Sequence, residues 1–299
     1  MKLESVTAWL PLVYLLIHSL LTVKTSVTRA AKLRIIGSNI LISGYFVFLL
    51  WYTWDMKETP GVFITILLLW SPIVFFWWAY IWSKHTLNAF YPPGRTFDGF
   101  IIKWEGRILG QPSLWLSQKG TRLVTEILHI CYFSYYFYTF SLGVFLHKNG
   151  HLEEFESMSF AVLFGYLVSY TFFALTPVHG PRWSLFEQGL LTDPSDQQQR
   201  GYLLTAFVNR IMFNGPAHKG GAMPSSHSST GLIFMVWACR VWDIEIAIPC
   251  VLLVLGMWLG SVYGRYHFVA DIIAGAIIGL ISILLADYLI LGSIHYGFF

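Results

Sequence analysis

Apolar residues run through this chain in long blocks separated by short polar breaks. Blocks at 5–23, 35–54, 61–83, 123–147, 157–176, 225–242, 244–264 and 268–291 each approach the roughly 20 apolar residues a helix needs to cross about 30 Å of hydrocarbon. The pattern predicts an all-α, polytopic membrane protein with about eight transmembrane helices. The first block is expected to stay as an anchor, because Lys24, Thr25 and Ser26 follow Val23 where a cleavage site would need small residues. Trp51, Trp54, Trp77, Trp78, Trp82 and Trp242 fall near the expected span ends, at the depth where aromatic rings meet lipid headgroups.

Two connections are too long for turns. Between the third and fourth blocks, Phe97, Phe100, Ile101, Trp104, Ile108 and Leu109 recur at helical spacing, with Asp98, Lys103, Glu105 and Arg107 expected on the opposite, wet face. This predicts an interfacial helix near 97–110, ended by Gly110, Gln111 and Pro112. The second, from about 177 to 223, carries a polar patch (Asp193, Ser195, Asp196, Gln197, Gln198, Gln199, Arg200) and then a short periodic piece with Leu203, Leu204, Phe207 and Ile211. It reads equally as a lid or as a surface loop.

Composition agrees with the pattern. The 299 residues are 56% hydrophobic and 12% charged, with a mean hydropathy of +0.59, whereas a soluble domain carries about 25% charge. Cys131, Cys239 and Cys250, an odd number inside apolar runs, exclude a disulfide scaffold. A net charge of +3 without a basic block argues against nucleic-acid binding.

Polar residues are costly within a bilayer, so those gathered at span ends carry the chemistry. Three clusters stand out: Pro177 to Arg182 after the fifth block, Pro224 to Ser229 where the sixth begins, and Ser261 to Asp271 between the seventh and eighth. Span parity puts all three on one membrane face, so His227 and His267 can meet. His267 and Asp271, four apart, can share a face, which makes His267 an oriented nucleophile or base. His227 opens a helix beside Ser225 and Ser226, where an anion can bind and a proton can pass to a leaving group. Arg182, Arg265 and Lys219 can hold phosphate oxygens. The set reads as a phosphate site.

These clusters, in this order, resemble the type 2 phosphatidic acid phosphatase and vanadium haloperoxidase superfamily. The resemblance implies that His267 is the phosphate-attacking nucleophile, Asp271 its orienting partner, and His227 the acid for the leaving oxygen. It also implies that Ser225 binds phosphate, that Ser226 stands where the second motif has Gly, and that Arg182 is the first-motif arginine. The first motif's lysine falls at Leu175, so Lys219 is a candidate substitute; the third motif's Ser-Arg pair falls at Gly260 and Ser261, and Arg265 lies two residues before His267. The run Tyr263-Gly264-Arg265-Tyr266-His267 is similar to the branch near inositol phosphorylceramide synthases. On this resemblance, residues 61–299 hold a six-helix lipid-phosphatase core and residues 1–60 add two helices in front.

The expected function is an integral membrane lipid phosphatase working through a phosphohistidine, with transfer of a phospho-headgroup to an alcohol, or a noncatalytic scaffold, as alternatives. A lipid phosphate and the bilayer are the expected partners; no cofactor and no metal are expected, since no His, Cys or carboxylate spacing forms a ligand set. Only Lys2, Lys57, Lys148 and Arg240 fall opposite the clusters, so the positive-inside rule favours a cytoplasmic active-site face.

Other residues carry structural expectations. His179 and His218 match no family position and read either as supports of the site or, by preference, as loop residues. Glu126 and His129 share a helix face and are expected to form a buried structural pair, with contact to a headgroup as the alternative, and Asp287 is expected to be solvated or paired at the far face. Gly275 and Gly279, with Ala274 and Ala276, form a small-residue face for close helix packing.

Overall fold

The computed structural model describes residues 6–54, 61–118, 120–192, 200–214 and 219–292, with 53–54 and 212–214 as backbone only. His218 and the patch from Asp193 to Gln199 lie outside the described residues. After a short 3-10 turn at Val6–Ala8, the described residues form α1 (Trp9–Lys24), α2 (Arg29–Trp54), α3 (Val62–Ser83), α4 (Asp98–Leu109), α5 (Pro112–Gln118), α6 (Arg122–Lys148), α7 (Leu152–Leu175), α8 (Pro181–Glu187), α9 (Leu203–Asn214), α10 (Ser226–Val241), α11 (Ile244–Tyr263) and α12 (Val269–Leu289). The chain is all-α, as its hydrophobic blocks predict.

Among the described residues six helices are long and apolar enough to cross a membrane: Val6–Lys24, Arg29–Tyr52, Val62–Ser83, Leu152–Leu175, Ile244–Tyr263 and Val269–Leu289. The other two expected spans are α6 and α10. α6 is more polar, and α10 is both shorter and more polar at its start. α6 contains Thr125, Glu126, His129 and Tyr132, while α10 is 16 residues long and opens with Ser226, His227, Ser228 and Ser229.

α10 packs against α6, α7, α11 and α12, while α1 packs on α2, α3 and α7. Trp237, Tyr166, Phe155 and Phe173 fill the centre. Leu41, Val62, Phe63, Leu252 and Ile277 point outward and exposed, as lipid-facing side chains do. The approach of α12 to α10 depends on two glycines: a methyl group at Gly275 would strike the Ser225 carbonyl, and one at Gly279 would lie 2.8 Å from the Ser229 carbonyl. The small-residue face thus packs as expected.

The expectation for the interfacial helix is half overturned. Gly110, left-handed at φ +66°, ends α4 as its sequence implies. Lys103 and Arg107 face outward, but Asp98 and Glu105 are buried, and Phe100, Trp104 and Ile108 are exposed. The two acids turn inward because helix starts elsewhere leave N–H groups in need of acceptors. Asp98 accepts from the backbone N–H groups of His179 (2.9 Å) and Gly180 (3.0 Å). Glu105 accepts from Ala270 in the first turn of α12 (3.2 Å) and from Gln111 (3.3 Å). Burial raises the Glu105 carboxyl to about 7, against the opposing effect of the N–H groups of Ala270 and Val269.

Candidate active site

Backbone hydrogen bonds lace the three polar clusters together. Ala222 N–H donates to the Val178 carbonyl (3.0 Å), Arg182 N–H to the Arg265 carbonyl (2.9 Å), and Ser225 N–H to the Asp271 carbonyl (3.0 Å). Gly180 turns between them at φ +90°, where a side chain would meet the Tyr266 carbonyl. The clusters enclose a cavity of about 90 Å³ whose walls include Arg182, Ser226, His227, Tyr266 and His267.

His267 stands just before α12. Its Nδ1 lies 2.9 Å from the Ala222 carbonyl oxygen and 3.5 Å from Asp271 Oδ2. A carbonyl only accepts, so Nδ1 carries the hydrogen and Nε2 presents its lone pair. Nε2 lies 3.4 Å from Nδ1 of His227, in the first turn of α10. Asp271 Oδ2 also accepts from Phe268 N–H (2.9 Å), so one carboxylate oxygen both caps α12 and contacts the imidazole.

Arg182 is almost fully buried at the start of α8. Its Nη2 donates to the Gly264 carbonyl (3.2 Å) and to Asn209 Oδ1 (3.4 Å), and its guanidinium lies 4.4 Å from the Tyr266 ring centre. Arg265 also lines the cavity, but its Nε and Nη2 donate to the Ser113 carbonyl (3.2 Å) and Ser117 Oγ (2.6 Å) of α5. It therefore ties α5 to the third cluster. Lys219 reaches the rim, where its Nζ lies 3.2 Å from Glu187 Oε1 and 4.5 Å from the Trp183 ring centre. Ser226 lines the cavity, whereas Ser225 Oγ is spent as the cap of α10, accepting from Ser228 N–H (3.3 Å).

His179 shares the cavity wall and meets Glu187 Oε2 through Nδ1 at 3.2 Å. Although partial burial works the other way, hydrogen bonds from His179 and Lys219 hold the Glu187 carboxyl below its ordinary range. The expected Glu126–His129 pair does not form. His129 bonds the Thr125 carbonyl (2.7 Å) and the Tyr266 hydroxyl (3.0 Å). Glu126 instead accepts from the N–H groups of Tyr202, Leu204 and Thr205 and from the Thr205 hydroxyl, gripping the start of α9. Those unpaired donors at a helix start draw the carboxylate more strongly than an imidazole that already has a carbonyl. At the far face Asp287 receives a bidentate pair from Arg240, at 2.8 and 2.7 Å.

Sequence reasoning passed over Tyr80, Tyr132 and Trp183, which line the cavity, and Asn209, which touches Arg182. Tyr132 could have been found as a residue one helical turn beyond His129 on α6; nothing in the sequence marks Asn209.

Fold and site together define a multi-pass membrane protein in which span ends on one face converge on a buried arginine and two facing histidines. The sequence profile of the PAP2 superfamily matches residues 99–285, more than half of the chain, and the chain belongs to that superfamily. No curated protein and no solved structure matches it. Members of the superfamily are generally phosphatases or phosphotransferases.

Proposed function

We propose that this protein removes phosphate from a membrane lipid through a phosphohistidine on His267. The observation that carries the reading is the tautomer of His267: Nδ1–H is tied to the Ala222 carbonyl beside Asp271, and Nε2 opens toward His227 in a cavity shared with Arg182. In the first step a bond forms from Nε2 to phosphorus as the bond from phosphorus to the lipid oxygen breaks, and protonated His227 gives its proton to that oxygen. Water then attacks phosphorus, passes a proton to His227, and releases phosphate from His267. Arg182 stabilises charge on the phosphoryl oxygens throughout.

A lipid substrate is supported by the apolar outer faces of the two helices beside the site. Phe100, Trp104 and Ile108 of α4, and Leu203 and Phe207 of α9, are exposed, as they would be against a bilayer surface. A second reading, transfer to an alcohol acceptor as in the inositol phosphorylceramide synthase branch, is favoured by the Tyr80, Tyr132, Tyr266 and Trp183 rings around the cavity, which limit the room for water. The excess of Lys and Arg on the site face supports a cytoplasmic active site, to be checked by impermeant labelling of tags at residues 56 and 90.

The test is phosphate release in detergent with excess chelator, across phosphatidate, prenyl diphosphate, phosphatidylglycerophosphate and sphingoid phosphates. His267→Ala should abolish release while the protein stays folded. Release that persists in the variant ends the proposal; loss of turnover that magnesium restores would overturn metal independence. Product formed only when an alcohol is added selects the transferase reading.

A further inference from the structure

We propose that Tyr132 is a positioning residue for His227, fixing which imidazole nitrogen faces His267. The inference rests on the phosphoryl-transfer reading for its effect on turnover, though the hydrogen-bond geometry stands without it.

The argument starts from the Ala222 carbonyl, which can only accept. It sets Nδ1–H on His267 (2.9 Å), which leaves the lone pair of Nε2 facing His227 Nδ1 at 3.4 Å. In the neutral pair, His227 must therefore carry its hydrogen on Nδ1. Its Nε2 is then an acceptor, and the hydroxyl of Tyr132 meets it at 3.3 Å. A chain of donors runs one way, from the Tyr132 hydroxyl through both imidazoles to the carbonyl. When His227 is protonated, the same hydroxyl turns and accepts from Nε2–H, because a phenol can donate or accept. Nδ1 faces the reacting centre in every state: it gives its proton to the leaving oxygen, the hydrogen left on Nε2 is held by the hydroxyl, and the bare Nδ1 can then take the proton from water.

Ring packing makes that geometry rigid. The Tyr132 ring stacks on both His227 (centres 5.2 Å apart, planes at 22°) and Tyr266 (4.3 Å, 15°), and the Arg182 guanidinium lies 4.4 Å from the Tyr266 ring centre. One stack thus joins the second cluster, α6, the third cluster and the first. Tyr135 flanks the imidazole from another side, with centres 4.2 Å apart. Aromatic stacking and the cation–π contact hold the plane of His227, and the hydroxyl ties down Nε2, so that Nδ1 is the nitrogen turned toward His267.

Tyr132→Phe keeps the ring and removes the hydroxyl; Tyr138→Phe, whose hydroxyl bonds Ser134 on the same helix, is the control for losing a hydroxyl from α6. The first readout needs no turnover: 15N spectra of histidine-labelled protein in nanodiscs, with His227 assigned by its loss in His227→Gln. The wild type should show His227 with hydrogen on Nδ1 and an accepting Nε2, and Tyr132→Phe should shift the Nε2 resonance away from that of a hydrogen-bonded acceptor. A wild-type His227 protonated on Nε2, or His227 signals unchanged in Tyr132→Phe, overturns the proposal. The second readout compares an alkyl phosphate, whose poor leaving group needs the acid, with p-nitrophenyl phosphate, which needs it little. Tyr132→Phe should lower kcat about 10- to 100-fold on the alkyl substrate, with KM within about twofold, and by less than about threefold on the aryl one. Equal loss on both substrates, or no loss on either, marks a merely structural tyrosine. Absence of His267-dependent turnover in the wild type would sink the phosphatase reading instead, and the spectra would still decide the role of Tyr132.

Discussion

Nε2 of His267 and Nδ1 of His227 meet at 3.4 Å in the cavity wall, although 40 residues of sequence separate them. Each ring is held from behind, His267 by a carbonyl and a carboxylate and His227 by a phenol. The remaining side of each ring meets the other imidazole, a contact that a phosphoryl group entering as proposed above would have to part.

Asp271→Asn tests how much of this support is charge. The amide oxygen can take the place of Oδ2, still accepting from Phe268 N–H and still facing His267 Nδ1, and the Ala222 carbonyl keeps the tautomer in any case. What disappears is the negative charge that favours the cationic imidazole of a phosphohistidine. Turnover should fall about 10- to 100-fold with KM nearly unchanged, well short of the loss in His267→Ala. A loss as large as that of His267→Ala would show that the carbonyl does not hold the ring by itself.

Glu126→Ala should release α9. The carboxylate takes the N–H groups of Tyr202 (2.7 Å), Leu204 (2.7 Å) and Thr205 (3.2 Å), and its removal leaves the first turn of that helix without acceptors. Asn209 then loses its fixed place beside Arg182. Limited proteolysis within 200–214 should quicken about tenfold, and KM for the lipid should rise several-fold, more than kcat falls. Unchanged cleavage would mean that packing against α6 is enough to hold α9 in place.

How far the sequence foretells this arrangement depends on the distance between partners. Hydrophobic blocks and span parity place His227 and His267 on one face, because both are properties of a single stretch of chain. The spacing of His267 and Asp271 is legible for the same reason. The burial of Asp98 and Glu105 is not, since their partners at Gly180 and Ala270 lie 82 and 165 residues away, and a helix period sees only its own faces. The same distance conceals the grip of Glu126 on α9 and the turn of Arg265 toward Ser113, 152 residues away. Charged residues on an interfacial helix were expected to face water; orphan N–H groups at two helix starts drew these acids inward.

Glu105 makes stability depend on pH. Burial raises its carboxyl from the ordinary 4.5 to about 7. Between those values the folded protein keeps a proton that the unfolded chain has released, so stability falls as pH rises through the window. The penalty is absent below about 4.5, complete above about 7, and on the order of 3 kcal/mol at most. Glu105→Gln keeps an oxygen for Ala270 N–H and can pair its amide with Gln111 after that side chain flips. Thermal unfolding in detergent should show the wild type losing several degrees relative to the variant between about pH 5 and pH 8. Parallel curves would mean that the carboxylate is fully compensated where it sits.

Two glycines one helical turn apart separate packing from catalysis. A methyl group at Gly275 meets the Ser225 carbonyl, and one at Gly279 meets the Ser229 carbonyl and Cα at 2.8 and 3.1 Å. These are backbone atoms in a close-packed contact, so α10 must move to make room. Alanine at either place should cost about 1–3 kcal/mol of stability, outweighing its better helix propensity. The positions differ in what moves with them. Ser225 caps α10 two residues before His227, so a shift there carries the imidazole away from His267, and a displacement of about 1 Å at a reacting group can cost about 100-fold in rate. Ser229 ends the first turn, its N–H bonded to the Ser225 carbonyl (3.2 Å), and the overlap it meets is milder. Gly275→Ala should therefore lose about 100-fold in turnover under conditions where it is still folded, while Gly279→Ala, whose clash is milder, loses less than about tenfold. Equal losses in the two variants would show that the whole helix shifts as one body, and that the start of α10 has no separate part in holding His227.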